Sequence, residues 1–179
     1  MRSRIIFAAI GVTLIATVAP AADIGWYGWG PRVGIASDPD QVIAGAHFDL
    51  GEFTRNLRFQ PSAEIGVGDD IVSFYGNAMT AYYFPVKGSV IPYAGAQLTA
   101  WLVDFDDDPP GRGNNDFDDE FDDGFNTEIG LAALGGIETR LKSGTRFLAE
   151  LQVEVTNHPE IKVMAGWTFG KGTPRPTSR

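Results

Sequence analysis

Residues 146–169 read RFLAELQVEVTNHPEIKVMAGWTF, and their alternation decides the fold. Phe147, Ala149, Leu151, Val153 and Val155 share one face of an extended strand. Arg146, Glu150, Gln152, Glu154 and Thr156 share the other, because strand side chains alternate faces with a period of two. After Asn157-His158-Pro159-Glu160 the alternation resumes. Ile161, Val163, Ala165, Trp167 and Phe169 oppose Lys162, Met164, Gly166, Thr168 and Gly170. The second strand has the roughly 9–11 residues that a tilted strand needs to cross a bilayer. The hairpin reads as the closing pair of a transmembrane barrel.

Working back from it, the chain breaks into further alternating stretches separated by turns. Trp29–Ser37 carries Val33 and Ile35 against Arg32 and Gly34. Asp38-Pro39-Asp40 turns it. Gln41–Leu50 sets Val42, Ala44, Ala46, Phe48 and Leu50 against His47 and Asp49. Leu57–Gly68 sets Leu57, Phe59, Pro61, Ala63, Ile65 and Val67 against Arg58, Gln60, Ser62, Glu64 and Gly66. Pro61 is out of place in a central strand, where a ladder donor is needed. Ile71–Phe84 has bulk on both faces and does not declare its orientation. Val90–Asp104 and Thr127–Leu141 complete the set. The expectation is eight strands in an antiparallel up-and-down transmembrane β-barrel, all-β, with one long acidic loop at 105–126.

Composition sets the compartment. The 179 residues contain no cysteine, which removes disulfides and thiolate metal sites. Arg2 and Arg4 precede an apolar run from Ile5 to Ala19, and Ala19-Pro20-Ala21 supplies small residues for cleavage. These are the parts of a secretory signal, so 1–22 is expected to be a signal peptide, 23–172 the barrel and 173–179 a short flexible tail. Export removes two arginines and leaves 12 basic and 23 acidic residues, a net charge of −11 that disfavours nucleic acid.

Alternation does not say which face points inward, since a lipocalin-like carrier and a membrane barrel both alternate. Three features favour lipid outside. Charges of both signs fall on the polar face: Arg32, Arg58, Arg140, Arg146 and Lys162 against Asp49, Glu64, Glu128, Glu138, Glu150 and Glu154. They suit a lumen network in a barrel whose interior is just wide enough for side chains. Aromatics gather at the strand ends nearest the termini: Trp26 or Trp29, Phe48, Phe59, Tyr82, Phe84, Phe147, Trp167 and Phe169. Phe74 and Trp101 mark the other end, as in an aromatic girdle. Compact turns lie on the terminal side and the long loop on the other, matching short periplasmic turns and longer surface loops.

Tyr82-Tyr83-Phe84-Pro85, Pro92-Tyr93-Ala94-Gly95-Ala96-Gln97 and the final strand ending Trp167-Thr168-Phe169 make the chain similar to small outer-membrane barrels of the OmpA and OmpX type. The resemblance runs from about Trp29 to Phe169. It implies location in the outer membrane among lipid and lipopolysaccharide, and insertion by the barrel-assembly machinery reading Trp167 and Phe169. The chain continues ten residues past that signal. Cell-wall tethering through a peptidoglycan-binding domain is not implied.

Two further stretches carry residues of site chemistry. Asp118, Glu120 and Asp122 follow the first ligand positions of a calcium loop, but Gly124 falls one residue late. The loop is a candidate for divalent cations, and the plainer reading is a solvated acidic run. His47 and His158 are the only histidines. An outer-membrane lipid A deacylase shares the barrel but pairs a histidine with a nearby serine. The neighbours here are Phe48-Asp49 and Pro159-Glu160. The expectation is therefore a non-enzymatic barrel without cofactor, in a structural or surface-interaction role and not a general porin. A periplasmic lipocalin-like small-molecule carrier is the alternative, and the deacylase a further one.

Overall fold

The computed structural model describes residues 22–69, 71–105, 126–156, 161–174 and 176. Eight strands follow one another: β1 Asp23–Ser37, β2 Gln41–Thr54, β3 Leu57–Gly68, β4 Ile71–Tyr83, β5 Val90–Phe105, β6 Asn126–Arg140, β7 Arg146–Glu154 and β8 Ile161–Thr168. Each pairs antiparallel with its neighbour in sequence, and β8 pairs back onto β1 to close the barrel. Closure leaves no free sheet edge, the condition for a sheet to stand in hydrocarbon. The strand bounds follow the alternation read from sequence to within two residues, except that β1 begins six residues earlier and β2 runs four residues further. Residues 1–21, most of the long acidic loop and His158 lie outside the described residues.

The faces sort by polarity. Val33, Ile35, Val42, Ile65, Leu98, Ile129, Leu151, Val163 and Phe169 point outward and are exposed. Leu98 is 53% exposed and Val163 50%, whereas Arg58 is 1% exposed and Asp49 0%. A lipocalin-like carrier needs the opposite arrangement, with apolar residues lining a central space. The greasy face is the outer one, and the carrier alternative fails on that point.

Strand β4 resolves once the lumen is seen. Tyr75, Met79, Ala81 and Tyr83 point inward. Met79, Ala81 and Tyr83 pack with Ile91, Tyr93 and Leu134, and Tyr75 with Ala36, Ile43 and Met164. Bulk on both of its faces reflects a wall that fills the barrel inside while meeting lipid outside. Pro61 also finds its reason. The β2–β3 register runs to His47↔Ser62 and resumes only at Glu52↔Arg58, a bulge on β2 that includes Gly51 at φ 93°. Pro61 lies beside this gap, where a missing donor costs little.

Aromatic pairs crown the end bearing the termini: Trp26 with Phe48, Trp29 with Phe169, Phe53 with Phe59, Tyr82 with Phe84 and Phe147 with Trp167. Trp101 corrects the expected second girdle. It shares the inward face of β5 with Gln97 and Thr99 and stacks on Tyr75 at 6.0 Å inside the barrel. The tail also departs from expectation. Thr173 is buried, Pro174 is hydrogen-bonded to Arg58 and Pro176 is buried, so this part of 173–179 belongs to the packed structure.

Candidate functional site

The lumen is the only place where the chain concentrates charge away from solvent among the described residues. It is built in three layers because inward positions recur every second residue on tilted strands.

The layer nearest the termini is ionic. Arg146 on β7 reaches Asp49 on β2 at 2.6 Å and Glu138 on β6 at 3.3 Å. Glu138 also meets Arg58 on β3 at 3.1 Å. Charges thus alternate Asp49, Arg146, Glu138, Arg58. The Arg58 guanidinium lies 4.0 Å from the centre of the Tyr83 ring, which adds a cation–π contact. Beside it His47 Nε2 and the Thr168 hydroxyl are 2.8 Å apart.

The middle layer is a closed circuit. Arg32 on β1 lies 3.1 Å from Glu64 and 2.8 Å from Glu150. From Glu64 the circuit runs through the Ser62 hydroxyl, which donates at 2.8 Å, to Asn77, whose amide donates to Ser62 at 3.0 Å. Gln97 then donates to Asn77 and to Gln152, each at 3.1 Å. Gln152 donates to Glu150 at 2.6 Å, which returns to Arg32, and the Tyr93 hydroxyl donates to the other Glu150 oxygen at 2.9 Å. Seven side chains from five strands therefore form one ring across the lumen. Small residues make room: a Cβ on Gly45 would fall against Glu64.

In the third layer Lys162 Nζ stands 3.6 Å from the centre of the Tyr75 ring. The Tyr75 hydroxyl donates to Gln41 at 3.0 Å, and Gln41 donates to Ser73 at 3.2 Å. Ile43, Met164 and Ala36 fill the rest. The space between Gln97, Thr99, Gln152, Glu154 and Lys162 is too small for a water molecule. A cavity of about 180 Å³ lies at the terminal end, lined by Arg58, Ser89, Ile91, Glu138, Arg140, Arg146 and Thr173.

Of the ten lumen residues expected from sequence, seven are buried here: Arg32, Asp49, Arg58, Glu64, Glu138, Glu150 and Lys162. With Arg146 they make four cations and four anions, a neutral interior, as burial of charge requires pairing. Glu128 and Glu154 are half-buried toward the long-loop end. Arg140 is the correction. As the last residue of β6 it is exposed at the rim of the terminal cavity, where water takes its charge. Sequence reasoning missed the uncharged members Ser62, Asn77, Gln97 and Gln152, although mid-strand amides on the charged face were the available signal.

His47 and Thr168 have the separation of a base and a hydroxyl nucleophile. Both are 1% exposed inside the barrel. Among the described residues no group of three or more histidine, aspartate or glutamate side chains is placed to hold a metal ion. Asp118, Glu120 and Asp122 lie outside the described residues.

No protein-family model matches the sequence, and no curated protein does either. Solved structures do match. Neisserial surface protein A (NspA) superposes with a TM-score of 0.60 at 17% identity, covering 81% of this chain and 96% of that one. The chain has the fold of a small eight-stranded outer-membrane barrel. This barrel also aligns with a de novo designed transmembrane β-barrel, TM-score 0.48 and 13% identity over 83% of this chain and 98% of the design. Ail, the attachment invasion locus protein of Yersinia pestis, aligns at TM-score 0.46 and 11% identity over 81% and 95% of the two chains.

Proposed function

We propose that this barrel resides in the outer membrane and serves envelope structure or surface interaction, without catalysis and without a diffusion channel. One observation carries the reading: the apolar face is outside, and the inside is filled by buried side chains whose charges pair across the lumen. A porin needs a wide lumen, and eight strands provide only enough width for side chains to fill. The aromatic ring at the terminal end gives that end an interfacial belt. It would face the periplasm, with the long acidic loop at the cell surface. NspA, which shares the fold, is named as a surface protein.

On this reading the partners are outer-membrane lipid and lipopolysaccharide, with divalent cations bridging phosphates to the acidic loop around Asp118, Glu120 and Asp122. The barrel-assembly machinery would read Trp167 and Phe169, which stand outward at the end of β8 against Phe147 and Trp29. Cell fractionation with a heat-modifiability gel tests the placement. The expected result is an outer-membrane band whose mobility shifts on boiling. A soluble periplasmic protein, or large steady currents in planar bilayers, would overturn the reading. A change in lipid A mass on overexpression would restore the deacylase alternative.

A further inference from the structure

The C-terminal segment does not leave the barrel where β8 ends. Gly170 at φ 125° and Gly172 at φ 69° take left-handed backbone that side chains disfavour, and they reverse the chain toward the lumen. The Gly172 N–H donates to the Tyr27 carbonyl at 2.7 Å, which pins the turn to β1. A Cβ on Gly172 would press on the Arg146 guanidinium, so the turn runs directly over the ionic layer.

Thr173 then engages Asp49 twice. Its hydroxyl donates to Oδ1 at 2.6 Å and its N–H donates to Oδ2 at 3.2 Å. The Pro174 carbonyl accepts from Arg58 Nη2 at 3.0 Å. Pro176 is buried as well. The tail thereby occupies acceptor positions of Asp49 that Arg146 leaves open and a donor of Arg58 that Glu138 does not use. These bonds join a carboxylate and a guanidinium that are themselves buried, so each is charge-assisted and stronger than a neutral one.

We propose that Gly170–Pro174, together with Pro176, form a tethered plug. It is held by Asp49 and Arg58, closes the terminal mouth of the lumen, and keeps the ionic layer from solvent. Its bonds are few and local, so it can leave while the strand ladder stays closed. Release would open the mouth at Asp49 and Arg58 and leave the middle ring intact.

The absence of cysteine makes the test direct. Pro176→Cys reports on the plug without touching the Thr173 or Pro174 contacts, and Lys171→Cys supplies an exposed reference. The folded barrel in detergent is labelled with a membrane-impermeant maleimide. Pro176→Cys should react at least about tenfold more slowly than Lys171→Cys, since labelling needs opening. Adding Thr173→Val should bring the two rates within about threefold while the band stays heat-modifiable. Equal rates in the first comparison would overturn the plug. Protection unchanged by Thr173→Val, or by Asp49→Asn as a second variant, would overturn its anchoring.

Discussion

Arg32→Met should be among the most damaging single changes in the lumen, and the reason can be worked out. Arg32 is buried between Glu64 at 3.1 Å and Glu150 at 2.8 Å. With charge centres about 4 Å apart and an effective dielectric constant near 20, each attraction is worth about 4 kcal/mol. Desolvation of the three groups offsets much of that sum, at several kcal/mol per ion. Removing the arginine alone discards both attractions and leaves two carboxylates buried without a cation. Breaking a buried pair from one side in this way costs about 3–5 kcal/mol. Adding Glu64→Gln and Glu150→Gln to Arg32→Met removes the stranded charge, and most of the loss should return. The assay is urea unfolding of the barrel in lipid vesicles, followed by fluorescence of its four tryptophans. A loss under about 1 kcal/mol for the single variant, or a triple variant no better than the single, would refute a buried ring closed by Arg32.

Other changes test other parts of the account. Asn77→Ala removes the bridge between Ser62 and Gln97 and should cost about 1–3 kcal/mol in the same titration, the penalty for leaving buried groups unpaired. Gly30→Ala would set a Cβ on the Trp167 carbonyl across the β1–β8 seam; overpacking there should cost about 1–3 kcal/mol and lower the heat-modifiable fraction. Leu98→Arg places a charge at mid-height on the outer face and should cost about 2–4 kcal/mol in a bilayer, while remaining nearly neutral if that face were in water.

Most of the strand plan was legible in the sequence because one face of a strand meets lipid and the other carries charged or polar residues, which makes register explicit; β4, whose inner face includes Tyr75, Met79, Ala81 and Tyr83, lacks that contrast. Leu57–Gly68 appears in the structure with the bounds its alternation implies. Legibility failed where a residue's role depends on partners far along the chain. Trp101 stands on the face of Gln97 and Thr99, and only the arrival of Tyr75 from β4 shows that it packs inside. Arg140 has the parity of a lumen residue but the height of a rim residue, and height depends on strand tilt. The tail was unreadable for a similar reason. Nothing local in Gly172-Thr173-Pro174 announces that Asp49, more than a hundred positions earlier, has acceptor oxygens waiting for it. The charged half of the middle ring was visible as a balance of signs, whereas its amides were visible only as polar residues.

The orientation of the faces is tested most directly by spin labels at consecutive β5 positions from Ala96 to Leu102, each a single cysteine in a chain that has none. In lipid bilayers the account predicts high oxygen accessibility at 96, 98, 100 and 102, and low accessibility at 97, 99 and 101. A profile without that period of two, or with the two sets exchanged, would contradict it.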